Sequence, residues 1–240
     1  MGKTLLSIDW DYFIPTKREW FGSYLENRRN LIGIWYQRYL KAIINGEDLL
    51  QTIYTGPKLQ EFWKIINDLF KITDATKVYV SDSHKYSYFL AKINSCSNVY
   101  LFDAHSDLGY GGLPSLEFEL NYANWLGKLL KEGHISRATI IYSPYTYEKK
   151  EQFQEINNAF DIDYGTLNDY RRLKELPVEV MVAAIHICRS GVWTPPWLDG
   201  DFSRFIRMVN LPIRIFKCPE RNWNPESLTL ADKIDYLLCI

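Results

Sequence analysis

The chain has 240 residues, 47% hydrophobic and 15% aromatic, with 28 Lys and Arg against 29 Asp and Glu. That length allows one large domain or two small ones, with a substantial core. The net charge of −1 leaves no global electrostatic case for a nucleic-acid or membrane partner, and no apolar run reaches spanning length.

Thr4-Leu5-Leu6-Ser7-Ile8 forms a short apolar strand leading into Asp9-Trp10-Asp11. Residues i and i+2 at a strand end share a face. Two carboxylates that close repel, and one protonates unless a cation lies between them. The plain alternative is a turn in which Asp9 caps a helix. Thr16 to Asn45 then places Trp20, Tyr24, Leu31, Trp35 and Leu40 at helical spacing. Gly56-Pro57 marks a break, and Lys58 to Ile72 reads as an amphipathic helix burying Leu59, Phe62, Trp63, Ile66, Leu69 and Phe70.

Lys77 to Val80 is the next strand; it leads to His84, at the start of a helix near Tyr86 to Asn94. Open α/β sheets place their sites at that carboxyl edge. A lone histidine there is more often structural; acidic strand ends nearby favour a ligand role. The strand Asn98 to Phe102 then runs into Asp103, His105 and Asp107. Alternating positions let these three side chains converge. Oxygen-rich ligation with one imidazole suits manganese, iron or zinc, although an acidic helix-capping loop has the same residues.

A helix from Glu119 to Lys131, strands at Ala138 to Tyr142, Glu179 to Ile187 and Ile213 to Phe216, and a helix near Leu228 to Leu238 complete the pattern. Strands and helices alternate without a linker or repeat. The expected fold is α/β, a three-layer αβα domain with a mainly parallel sheet, single over 1–240. Cys96, Cys188, Cys218 and Cys239 form no metal-finger or CxxC pattern. With no signal-peptide pattern, a cytoplasmic location is the default expectation. The aromatic surplus fits either a ring-rich core or a groove for an extended peptide.

These motifs resemble the arginase and histone-deacetylase superfamily. Its DAHxD segment matches Asp103-Ala104-His105-Ser106-Asp107, and its SxDxD segment matches Ser7-Ile8-Asp9-Trp10-Asp11. Its DH-type segment matches Asp82-Ser83-His84 with one residue inserted. The SxDxD strand follows DAHxD in ordinary arginases and precedes it here. That arrangement resembles the peptide arginases of ribosomal peptide maturation, which convert arginine residues to ornithine. The segment Arg189-Ser190-Gly191-Val192-Trp193 is similar to an arginase strand end reading Arg-Glu-Gly, with Ser190 where arginases hold the guanidinium with glutamate. The resemblance covers strand ends between residues 5 and 193 and little between them.

The resemblance implies two Mn²⁺ per chain. His84, Asp103, Asp107 and Asp9 would hold one ion and His105, Asp103, Asp9 and Asp11 the other, with Asp103 and Asp9 bridging. It implies attack of a metal-bridging hydroxide on a guanidinium carbon, with Asp103 and Asp107 as catalytic residues and Asp107 carrying the proton to the leaving amine. The implied partner is an arginine-containing precursor peptide, and oligomerisation is common among relatives.

Substrate contacts are expected among Glu119 and Asn124, with Glu117 and Asn121 beside them, and among His186, Ser190 and Trp193. Glu117 and Glu119 equally suit the first turn of a helix, and His186 equally suits a hydrogen-bonded core position. Trp197, Asp199 and Asp201 follow a Pro195-Pro196 pair that stiffens the loop. His134 reads as a helix-end residue. Three functions are compatible: a hydrolase of arginine within a peptide, a metallohydrolase of the same fold acting on a free guanidino compound or an acylated amine, and a non-catalytic metal-binding relative.

Overall fold

A computed structural model describes residues 2–20, 30–56, 59–172 and 180–238. The first half contains β1 (Lys3–Asp9), α1 (Asn30–Ile44), α2 (Leu49–Thr52), α3 (Leu59–Leu69), β2 (Phe70–Lys71), β3 (Lys77–Ser81), α4 (Tyr86–Ile93) and β4 (Cys96–Asp103). The second contains α5 (Trp125–Lys131), β5 (Arg137–Tyr142), α6 (Gln154–Ala159), β6 (Ile162–Gly165), α7 (Leu167–Arg172), β7 (Val180–Cys188), α8 (Asp199–Arg207), β8 (Ile213–Ile215) and α9 (Leu230–Leu238). The strands form a sheet in the order β6-β5-β4-β1-β7-β3-β8, with β2 pairing the start of β7. Every pairing among the described residues is parallel.

Parallel sheets are covered on both faces, so their strands are apolar on both sides. Leu6 and Ile8 of β1 join one core cluster, packed by α1, α3 and α8; Leu5 joins the other, packed by α4, α5 and α6. The result is the expected three-layer α/β architecture. Phe62 is central to the first cluster, with ring centroids 5.0 Å from Phe13, 5.3 Å from Phe102 and 5.6 Å from Phe205. Much of the aromatic surplus is therefore core. Among the described residues, no helix is long and apolar enough to cross a membrane.

Several elements differ from the sequence expectation. Tyr24, Pro57, Lys58, Glu179 and Cys239 lie outside the described residues. The stretch expected as helical from Thr16 has a 3-10 turn at Arg18–Trp20, and α1 is described from Asn30. α3 ends at Leu69, because Phe70 and Lys71 extend to pair with Val180 and Met181. The helix expected from Glu119 starts at Trp125. Before it, Asn121 Oδ1 accepts the Ala123 N–H and Asn124 Oδ1 accepts the Asn121 N–H, local bonds that compete with helix formation. Short β6, half-buried throughout, was not anticipated, nor was α8, although its buried Phe202, Phe205 and Ile206 fall at helical spacing.

Truncating Phe62 to Ala should cost about 3–5 kcal/mol, read as a lowered urea midpoint. Gln60→Ala, on the exposed side of the same helix, should change stability by less than about 0.5 kcal/mol.

Candidate metal centre

β1 lies between β4 and β7, with Ile8 opposite Phe102 and Asp9 opposite Cys188. Asp9 and Asp103 thus leave the same sheet edge on neighbouring strands, where the strand order changes direction. Asp9 Oδ1 accepts the Asp11 N–H at 3.1 Å and starts a 3-10 turn, Trp10–Phe13. That turn carries Asp11 across to β4, where its Oδ1 accepts the Ala104 N–H at 3.2 Å. Capping and site geometry are therefore combined in Asp9. Asp107 adopts a left-handed backbone, φ 51°, and its Oδ2 accepts the Trp125 indole N–H at 2.5 Å.

These turns converge on two imidazoles. His84 Nδ1 lies 3.2 Å from Asp9, 3.0 Å from Asp103 and 2.9 Å from Asp107. His105 Nδ1 lies 3.0 Å from Asp11 and 3.4 Å from Asp103. Two groups that can each surround a metal ion result: Asp9, His84 and Asp103, and Asp11, Asp103 and His105. Asp103 belongs to both, offering Oδ2 toward His84 and Oδ1 toward His105.

The electrostatics suit a bound cation. Burial first, then the charge of Asp11, raises the Asp9 pKa; burial, then Asp103, raises that of Asp11. Burial works against charge on His84 and His105, yet the surrounding carboxylates push both pKa values well above the usual imidazole range. Among the described residues, the fully buried His84 Nδ1 and Asp103 Oδ2 have no partner at hydrogen-bond geometry, although they lie 3.0 Å apart, a costly condition for polar atoms. Carboxylate oxygens with one imidazole per group fit a hard or borderline divalent ion such as Mn²⁺.

A cavity of about 710 Å³ opens over the centre, lined by Asp9, Asp11, His84, Asp103, His105 and Asp107. Ser190 and Trp193 also line it. Ser190, at φ 50°, donates its hydroxyl to Asp9 Oδ2. Trp193 packs 4.7 Å from Tyr122, another wall residue. The loop holding them is fixed through its carbonyls. Trp35 and Arg221 donate to Gly191, Arg38 donates to Val192, and Arg221 also donates to Thr194. Arg189 pairs with Asp82 at 2.6 Å, so Asp82 belongs to this clamp rather than to the cavity.

Glu119, Asn124 and His186 do not line the cavity. Glu119 is exposed and its carbonyl accepts from Asn124 Nδ2, so this pair shapes the turn before α5. His186 is fully buried behind the centre. Sequence reasoning missed Glu148, which does line the cavity. Its Oε2 accepts the Ser106 N–H at 2.8 Å and the Ser106 hydroxyl at 2.7 Å, while Oε1 accepts the Tyr110 hydroxyl. Burial, then the nearby Asp107 charge, raises its pKa against the effects of His105, Tyr110 and Ser106. A glutamate in a loop after β5 carries no motif that marks it in sequence.

No protein-family model, curated protein or solved structure matches the chain.

The raised pKa values of Asp9, Asp11, His84 and His105 mean that bound protons favour the metal-free fold. That contribution is complete at low pH and is lost as pH rises through the folded-state values. Metal binding needs the same positions deprotonated. Mn²⁺ should therefore raise the melting temperature more at about pH 8 than at about pH 6, and Asp103→Asn should remove most of the increase. An equal Mn²⁺ effect in that variant would exclude Asp103 from the site.

Proposed function

We propose that this chain is a dinuclear metal-dependent C–N hydrolase of the arginase type, converting arginine residues in a peptide to ornithine with release of urea. The observation that carries this reading is the sharing of Asp103 between two ligand groups on the cavity floor. Divalent ions held there would supply the Lewis acidity that makes water nucleophilic at neutral pH.

The protein's own groups supply binding and proton handling. Glu148 presents a carboxylate held in place by Ser106 and Tyr110, and a planar cation is best met by such an acceptor. Tyr122 and Trp193 offer aromatic walls for the same cation. Asp107, whose carboxylate accepts the Trp125 indole N–H, would hold the proton that the departing nitrogen needs. In the balanced reaction, water oxygen bonds to the guanidinium carbon and the bond from that carbon to the side-chain nitrogen breaks. Both water protons end on that nitrogen, so the side chain leaves as an ammonium group and urea is released neutral. An acylated amine is neutral at the group attacked and would leave the Glu148 charge unmatched.

Half-exposed Tyr110 and Tyr147 line the cavity and give an extended peptide apolar surface to lie on. One observation favours a free guanidino acid instead: Arg18, an exposed cation, also lines the cavity and matches an α-carboxylate.

With Mn²⁺, an arginine-containing peptide should lose about 42 Da at arginine and release urea; no urea from free arginine or several peptides would refute the activity. Glu148→Gln should lower kcat/KM about 10- to 100-fold without changing metal content, the size expected for one charged hydrogen bond. Arg18→Ala should leave peptide turnover intact, and loss confined to free arginine would shift the substrate to the amino acid.

A further inference from the structure

Behind the metal centre, the second face of the sheet carries a line of polar side chains in otherwise apolar strands. Ser7 of β1 and His186 of β7 are directly abreast. Ser81 of β3 sits on the other side of β7, and Ser87 comes from the first turn of α4, which packs over β1 and β7. All four are fully buried. His84 Nε2 lies 2.7 Å from Ser7 Oγ, and Ser7 Oγ lies 2.6 Å from Ser87 Oγ. Ser87 Oγ lies 2.6 Å from His186 Nδ1, and His186 Nε2 lies 2.8 Å from Ser81 Oγ. The line ends where the Ser81 hydroxyl donates to the Ser83 carbonyl at 3.1 Å.

That last bond sets the direction of all the others. A carbonyl can only accept, and a serine hydroxyl has one proton. Ser81 spends its proton on Ser83, so it must accept from His186 Nε2–H. A neutral His186 then accepts at Nδ1 from Ser87, Ser87 accepts from Ser7, and Ser7 accepts from His84 Nε2–H. Neutral is the form that burial demands, since among the described residues the hydrogen-bond partners of His186 are hydroxyls, with no carboxylate to compensate a charge. His84 Nε2 is thereby held as a donor, and Nδ1 is the nitrogen left to face Asp9, Asp103 and Asp107.

We propose that Ser7, Ser87, His186 and Ser81 form a one-directional hydrogen-bond relay that positions His84 and presents its Nδ1 to a metal ion. The relay rests on the metal-centre reading, but its polarity is a property of the metal-free protein as well. Outer partners of metal-binding histidines fix tautomer and ring orientation, and losing them typically weakens metal binding 10- to 100-fold. His186 is a positioning residue here, without contact to substrate.

The test combines calorimetric Mn²⁺ titration with ¹⁵N-histidine NMR of metal-free and Zn²⁺-loaded protein. One histidine, assigned by its loss in His186→Gln, should show a protonated Nε2 and a bare Nδ1 in both states. Ser87→Ala and His186→Phe should weaken one Mn²⁺ site about 10- to 100-fold and spare the site built on His105. His186→Gln should hold both sites near wild type, because its carbonyl can accept from Ser87 while its amide donates to Ser81. If His186→Phe does not fold, Ser87→Ala and His186→Gln still oppose each other. Unchanged affinity in Ser87→Ala, or a protonated Nδ1 on His186, would overturn the relay. Wild-type protein that binds no Mn²⁺ would overturn the metal reading instead, while the histidine spectrum of the metal-free protein still reports the relay.

Discussion

Four carboxylates, Asp9, Asp11, Asp103 and Asp107, are buried around two imidazoles, and this concentration of negative charge is the constraint on which the rest of the structure depends. Desolvation makes each charge expensive, and proximity makes each neighbour worse. Two divalent cations at the proposed centre would balance the four carboxylates and take the imidazoles as neutral ligands. Asp103 can serve both groups because its two oxygens face opposite histidines.

Holding like charges together requires a rigid support, and several independent devices provide one. The parallel register of β1 against β4 fixes the spacing of Asp9 and Asp103. The loop after β5 is tied to the ligand segment: the Ser143 N–H donates to the Asp103 carbonyl at 2.8 Å and the Thr146 hydroxyl to that of Ala104 at 2.5 Å. On the other side, Arg189 and Arg221 bind Asp82 and Asp199 and fasten the loop that presents Ser190 and Trp193. The backbone is left-handed at Asp107 and Ser190, both within these tied segments.

The centre is polarised between its two histidines. His84 is fully buried and backed by hydroxyls, whereas His105 is partly accessible and packs near the Trp193 wall. One ligand group therefore belongs to the interior of the fold and the other to the cavity. Glu148 bridges the two worlds, because Ser106 lies between His105 and Asp107 and ties the cavity-wall carboxylate to the ligand segment.

The α/β class and most strands were legible in the sequence, because alternating apolar runs and amphipathic spacing are local signals. So were the six residues that the structure gathers, since Asp9 and Asp103 end their strands and the other four follow a strand end within a few residues. Boundaries failed where side chains rewrote the backbone locally, as Asn121 and Asn124 delay α5 and β7 captures Phe70 from α3. The roles of the remaining residues were decided only by the tertiary structure. His186 reads in sequence as a pocket or core histidine, and only the register of the sheet, with Ser7 opposite His186 and Ser81 opposite Cys188 two residues further on, places it between Ser7 and Ser81. Glu119 and Glu148 are alike as residues, and chain packing alone turns one to solvent and the other into the cavity. The candidate ligands lie at or just past single strand ends, which is a local signal; relay, clamp and cavity wall arise from neighbours distant in the chain, which local patterning cannot encode.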